Sequence, residues 1–317
     1  MAKLPKRILK NNTLSGQALL IVLLGMAVVL TMVLSVVSRS VTDIQLTTRD
    51  DEALRAFSAA EAGVEQALIV GTNIGDTPLS DSGSSFSVNV EELGTGVDSK
   101  YAYPEEIYSG ESATLWLASH DGEGNLSCTD GTCYKEDYFQ VCWGEDGTER
   151  DNNAPALEVS VYYDKNPSSI PFATGVSPNY GDVQVARVTY DPTSDRQDIN
   201  NFQGGAGNGT NCNFGEKQMA FVVSFNVANA LPAGCSAQDG CLLFAKAKLI
   251  YNDNEPHPVG FLAPNLATFP SQGVRIESTG QFGDSTRQID VFRTYSEPLS
   301  IFESAVFSMG DNADLTK

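Results

Sequence analysis

The stretch Ser15-Gly16-Gln17-Ala18-Leu19-Leu20-Ile21-Val22-Leu23-Leu24-Gly25-Met26-Ala27-Val28-Val29-Leu30-Thr31-Met32-Val33-Leu34-Ser35-Val36-Val37 decides the fold. A short leader carrying Lys3, Lys6, Arg7 and Lys10 ends at Gly16, and Ala18 to Val37 is then uncharged and mostly apolar. No proline follows before Pro78, so the pattern predicts one helix over Gln17 to Val70, roughly 80 Å long at about 1.5 Å per residue. Helices of soluble globular proteins run about 8 to 20 residues. A lone rod of this length needs two solvents.

The apolar half has the length to cross a bilayer core of about 30 Å. Gly25, Thr31 and Ser35 are compatible with this, because small and hydroxylated residues are common where membrane helices pack closely. Four cations and no acid precede the run, so the N-terminus is expected in the cytoplasm and everything after Val37 outside. That makes a single-pass protein of the cytoplasmic membrane. An ordinary secretory signal has an apolar core of about 7 to 15 residues with its small-residue cleavage site behind it. Here the run is longer, and the small pair Ser15-Gly16 stands in front.

The chain has 317 residues, enough for one large or two modest folded domains. Without the four leader cations, 16 Lys and Arg face 40 Asp and Glu, a net charge of −24. Such a surface repels phosphate backbones, so no nucleic-acid partner is expected. All six cysteines, Cys128, Cys133, Cys142, Cys212, Cys235 and Cys241, follow the apolar run. An even number confined to the exported part favours disulfides. Cys128–Cys133 is the best local pair and Cys235–Cys241 the next. Zinc is the competing reading, but no spacing is C-x2-C and His120 and His257 are far apart in sequence.

From residue 38 to 70 continuous apolarity gives way to a helical rhythm. Val41, Ile44, Leu54, Phe57, Val64 and Leu68 recur at intervals that suit one face, and the domain that follows is expected to cover that stripe. A helix lying flat on a membrane is the competitor, but its polar face should be rich in Lys and Arg, and this one is not. Gly71, Gly75 and Pro78 should end the helix near Gly71.

Beyond it, short β-branched and aromatic runs alternate with turns. Strands are predicted at Phe86–Val90, Ala113–Ala118, Tyr138–Trp143, Leu157–Tyr163, Val183–Tyr190, Met219–Val227, Leu242–Tyr251, Gly273–Ser278 and Gln288–Thr294. The serine-rich Leu79–Ser87 and the glycine-rich 203–211 read as loops, the latter a possible seam between two lobes. The fold class is therefore α+β. One long N-terminal helix, half membrane-spanning and half amphipathic, packs on a large antiparallel β-rich head over residues 71–317.

The order of basic leader, Gly16 and retained apolar segment resembles the prepilin leader of type IV pilins and type II secretion pseudopilins. Ala56-Phe57-Ser58-Ala59-Ala60-Glu61-Ala62-Gly63-Val64-Glu65 is similar to the helix signature of PilX-type minor pilins. Near the C-terminus, Pro270–Gly273, Ile276–Gly280 and Arg287–Val291 are similar to a strand-turn-strand of pilin-like heads. The resemblance covers roughly the first 70 residues and that hairpin; the middle of the chain matches nothing.

It implies a minor subunit of a type IV pilus or related filament, cut by prepilin peptidase between Gly16 and Gln17. Its partners are then other pilin subunits, met through the helix at positions such as Ile21, Phe57, Glu61 and Gly63. Assembly and surface adhesion would be its work. Most pilins carry Glu where this chain has Ile21, and Phe or Met where it has Gln17, so efficient N-methylation is not implied. In the family that Glu pairs with a neighbour's N-terminal ammonium. A charge buried there costs about 2.5 to 3.5 kcal/mol even on lenient scales, and Ile21 offers it no partner. A tip or initiating position follows. The competing readings are a permanently anchored adhesin with an uncleaved signal anchor, and an anchored hydrolase.

Enzymatic chemistry has few players. His120 precedes Asp121 in a loop-like stretch, His257 lies between Pro256 and Pro258, and both are expected at the surface. There is no phosphate-binding glycine loop, no G-x-S-x-G and no H-E-x-x-H, so no catalytic residue and no cofactor are expected. Two acidic sets invite calcium: Asp121, Glu123, Asn125 and Asp130, and Glu145, Asp146, Asp151 and Asn152. Neither matches the twelve-residue calcium loop, and solvated turns are the expectation. Glu61 is expected as a solvated position on a helix that packs through Ala59, Ala60 and Gly63.

Overall fold

The computed structural model describes residues 15–79, 83–95, 100–122, 124–128, 133–151, 153–165, 183–215, 217–231, 237, 241–252, 254–265 and 267–298. Lys3, Lys6, Arg7, Lys10, Cys235, Glu123, Asp130 and Asn152 lie outside them. The fold is α+β. Helix α1 runs Ser15–Val70, 56 residues without a break. It ends where Gly71 takes a φ of +72° and its N–H donates to the Ala67 carbonyl at 2.7 Å, a left-handed closure that glycine adopts at no steric cost.

Strands β1 (Ile74–Pro78), β2 (Ser84–Glu92), β3 (Lys100–Ala102), β4 (Ser112–Trp116), β5 (Ser119–His120) and β6 (Leu126–Ser127) follow. Next come β7 (Tyr138–Glu145), β8 (Ala156–Asp164), β9 (Val183–Tyr190), helix α2 (Ser194–Asn200), β10 (Gly207–Asn208), β11 (Asn213–Phe214) and β12 (Lys217–Asn226). Helix α3 (Val227–Ala230), β13 (Leu242–Ile250), β14 (Val259–Leu262), β15 (Gly273–Phe282) and β16 (Ser285–Thr294) complete the chain. All nine strands predicted from alternation are present. The six shorter strands between them, β3, β5, β6, β10, β11 and β14, have too few residues to show a period, and β1, with Gly75, Asp76 and Pro78, reads as a turn. Ser84 and Ser85, expected in a loop, belong to β2.

The chain divides into two compact units, one of residues 1–88 with 278–289 and one of 89–277 with 290–317. A four-stranded sheet runs β1-β2-β15-β16, and the chain passes from one unit to the other within β2, β15 and β16. In the second unit β10-β12-β7-β14-β3 forms one sheet and β4-β13-β8-β9 another. The apolar faces of both contribute to one core, with Phe139, Val141, Trp143, Phe221 and Phe261 from one and Leu115, Val159, Val161, Ala245 and Ala247 from the other. The buried Trp143 indole donates to the Pro155 carbonyl at 2.8 Å, which meets the requirement that an interior N–H find a partner.

The glycine-rich 203–211 stretch lies inside this second unit. Gly207 and Asn208 pair with Val222 and Phe221, and the Gln203 N–H donates to the Thr189 carbonyl. The disulfide Cys128–Cys133 is formed. Cys142 bonds Cys212, 70 residues on, a pairing that no local spacing suggested. Cys241 is disulfide-bonded as well; Cys235, the partner expected for it, is outside the described residues.

Candidate functional site

Two surfaces stand out, one in each unit. The first is α1. Every residue from 17 to 51 is exposed, Ile21 among them, and α1 is long and apolar enough to cross a membrane. The first charge after Lys10 is Arg39 and the first acid Asp43.

The helix meets its own unit through small residues. Ala56, Ala59, Ala60, Gly63 and Ala67 are buried, spaced at three and four residues along one face. A Cβ at Gly280 would lie 2.0 Å from the Ala56 carbonyl oxygen and 2.4 Å from the Ala60 nitrogen, and one at Gly63 would lie 2.3 Å from Ser278 Oγ. The contact is therefore backbone against backbone. Ser278, fully buried, donates its hydroxyl to the Ala60 carbonyl at 2.7 Å. Beside it Arg55 stacks over Phe282 at 4.8 Å.

This overturns the expectation for the apolar stripe. Leu54 is 67%, Phe57 43% and Leu68 41% exposed, Val41 and Ile44 are exposed, and Val64 is half-buried. Large side chains on the covered face would hold the helix several ångströms off the sheet and forfeit the close contact. Leu54, Phe57, Val64 and Leu68 instead lie roughly 100° round the helix from the alanine face. Glu61 is exposed among Leu54, Phe57 and Leu68.

The second surface is on the β4-β13-β8-β9 sheet. Leu115, Ala245 and Val161 face the core and are fully buried. Their alternates Trp116, Phe244 and Tyr162 sit in register across three strands on the outer side, followed by Val185 on β9. Phe244 packs against Trp116 at 5.2 Å and Tyr162 at 4.4 Å. The row closes the regular part of the β13–β8 ladder, and the register shifts only beyond it, between Leu242 and Phe244. Gln272, itself buried, pins Trp116 from both sides: its Oε1 accepts from the Trp116 N–H at 2.7 Å and its Nε2 donates to the Trp116 carbonyl at 2.9 Å.

His120, in the two-stranded β5-β6 hairpin, stands edge-on to Trp116 at 4.5 Å and stacks on Tyr295 at 3.7 Å. Its ring is half-buried and its Nδ1 finds no hydrogen-bond partner among the described residues. Burial pushes its pKa down to about 4, against a weaker upward pull from Asp121, so the imidazole is neutral at pH 7. A cavity of about 480 Å³ lies beneath this stack, bounded by Trp116, Tyr162, Phe244, Leu126, Asn125 and Ser296. A second, of about 420 Å³, shares His120 and Tyr295 and is lined by Glu92, Thr95, Ser119, Asp121, Ser127 and Ser271.

His257, expected at the surface, is 3% exposed. Its backbone exchanges two hydrogen bonds with Ile107 at 3.0 and 2.9 Å, and its ring is held between two groups. Nδ1 accepts from the Glu145 N–H at 3.3 Å and Nε2 meets the Asn252 side-chain amide at 2.6 Å. Burial lowers this pKa too, opposed by Glu255, Glu145 and Glu106.

The acidic loops satisfy themselves. Asp121 accepts from the Asn125 N–H at 2.8 Å, and Asp151 from the Asn153 N–H at 2.8 Å. Among the described residues no group of three or more His, Cys, Asp or Glu converges as metal ligands would. The aromatic row went unnoticed in the sequence because its members are 46 and 82 residues apart, counting from Trp116 to Tyr162 and from Tyr162 to Phe244. The signal was present only as an aromatic on the polar phase of three separate strands. No protein-family model, no curated protein and no solved structure matches this chain.

Proposed function

We propose that this chain is a minor subunit of a type IV pilus or a related filament, held in the membrane by α1 before assembly and packed through that helix afterwards. One observation carries the reading: α1 spends its small residues on its own unit and leaves the apolar surface of residues 18–37, with Leu54, Phe57 and Leu68, exposed among the described residues. Lipid can cover the first part. The second part lies beyond an apolar run that already matches a bilayer core of about 30 Å, so sister helices are the natural cover. The prepilin-like leader and the PilX-like segment around Glu61 support the same reading, and Ile21 supports a tip or initiating position. No catalytic role is part of it.

The test is the N-terminus of the membrane-bound protein. Edman sequencing should begin at Gln17, and a Gly16→Val variant should keep its leader and drop out of sheared filaments. A native chain that retains its leader refutes the proposal in favour of a permanently anchored adhesin. Copy number is the second measurement: the tip position requires far fewer copies than the major subunit, and equal stoichiometry refutes it.

A further inference from the structure

We propose that the outer face of the β4-β13-β8-β9 sheet is a carbohydrate-binding site, in which a sugar ring of a neutral glycan lies on the Trp116–Phe244–Tyr162 row beneath the His120–Tyr295 stack. This goes beyond assembly and stands whether or not α1 enters a filament.

The first ground is the breach of the sheet's own pattern. Where one face of an antiparallel sheet is core, the other is normally polar, and the two neighbouring cross-strand rows obey that. Thr114, Lys246, Ser160 and Arg187 form one, polar although Thr114, Lys246 and Ser160 are buried, with Thr114 and Lys246 bonded to Glu297 and Pro298, and Ser112, Lys248, Glu158 and Thr189 form the next. One row departs, and it departs to aromatics. The second ground is space. The volume of about 480 Å³ left over the row falls within the range of about 300 to 1,000 Å³ of small-ligand sites.

The lining then selects the ligand. Among the described residues no Lys, Arg, Asp or Glu bounds this cavity, and its one titratable imidazole is neutral at pH 7. Lys246, two residues along β13 from Phe244, is tied to the Pro298 carbonyl at 2.6 Å. A charged ligand would lose its hydration here without gaining a counter-ion. A pyranose brings what the walls can use. Its C–H face carries a slight positive potential that suits the negative face of an aromatic ring, and its hydroxyls are both donors and acceptors for Asn125, Ser296 and the tyrosine hydroxyls. The adjoining cavity of about 420 Å³ offers the Glu92 and Asp121 carboxylates with serine and threonine hydroxyls. Carboxylates accept sugar hydroxyls in short charge-assisted bonds, while a sialic acid or a sulfated sugar meets only negative charge. Gln272 holds the Trp116 main chain and His120 and Phe244 pack on its ring, which sets the platform in advance and lowers the ordering cost of binding.

A glycan array probed with the full chain, in a detergent lacking a sugar headgroup, tests this. Neutral glycans should be retained over their sialylated and sulfated counterparts. Tyr162→Ala and Tyr295→Ala should each weaken retention at least tenfold, while Tyr108→Ala, at an exposed position outside both cavities, should not. Retention of charged glycans only, of none, or unchanged retention in the first two variants overturns the proposal. Should those variants fail to fold, tryptophan fluorescence of the native chain decides. Trp116 lines the cavity and Trp143 is fully buried, so an array-selected neutral glycan must shift the emission saturably, and a flat titration overturns the site.

Discussion

Replacing Gly280 with alanine tests the backbone-on-backbone seating of α1. The added Cβ would stand 2.0 Å from the Ala56 oxygen, 2.4 Å from the Ala60 nitrogen and 3.1 Å from the Ala59 carbon. All three are helix main chain, which cannot rotate aside, so the helix must lift. Overpacking of this kind costs about 1 to 3 kcal/mol, and with no side chain to yield the upper end applies. Lifting also stretches the 2.7 Å bond from Ser278 to the Ala60 carbonyl, worth about 1 kcal/mol. The expected loss is thus about 3 to 4 kcal/mol within the first unit. At about 1.4 kcal/mol per tenfold, amide exchange across residues 56–67 should accelerate by at least about a hundredfold. Hydrogen exchange of the full chain in detergent reads this locally, which matters because two units need not unfold as one. Gly75→Ala is the control, since nothing lies within 4 Å of its added Cβ. Equal protection in the two variants would refute the seating.

Four further outcomes are expected. Asp191 is fully buried, takes Arg196 at 2.7 Å and accepts from the Thr193 N–H and the Asn200 amide, so Asp191→Ala strands a guanidinium and should cost about 3 to 5 kcal/mol in urea unfolding. Removing the Cys142–Cys212 bond by double alanine substitution frees a loop spanning 70 residues and should cost about 4 kcal/mol, whereas Cys128–Cys133, separated by 5, should cost about 2 by the same chain-entropy rule; equal losses would refute the ranking. Both histidines have pKa values lowered by burial, so the unfolded chain binds more protons and stability should fall as pH drops from about 6.5 toward 4. His120→Phe keeps the stack on Tyr295 and should flatten that slope, which unfolding at pH 6.5 and 4.5 will show. Leu54 and Phe57 changed together to Ser should leave melting unchanged, since both are exposed, yet deplete the protein from sheared filaments; normal incorporation would count against assembly through that face.

The polar half of α1 separates what each level of description could reach. Helix length followed from the absence of proline and the periodicity of residues 38–70, and its end from Gly71. Which side the helix turns inward did not follow. Apolar periodicity finds the greasiest face, and the greasiest face is the buried one only when a helix's cover lies within its own chain. Here Ala56, Ala59, Ala60, Gly63 and Ala67 win, because close approach to Gly280 yields dense backbone contact and a hydrogen bond to Ser278. The same limit applied to His257, whose flanking prolines read as surface and whose ring is buried.

Composition and order alone determined that this chain is a long helix followed by antiparallel strands, with an apolar run sized to a bilayer and bonded cysteines in the remainder. Those properties are local: a run length, a period and a spacing are complete within a window of a few residues. Tertiary structure alone decided that Cys142 meets Cys212, that small residues seat the helix, and that Trp116, Phe244 and Tyr162 line up on one face. Each of those depends on register between strands far apart in the chain. A slip of one residue in any of the three strands would send that strand's ring into the core and break the row.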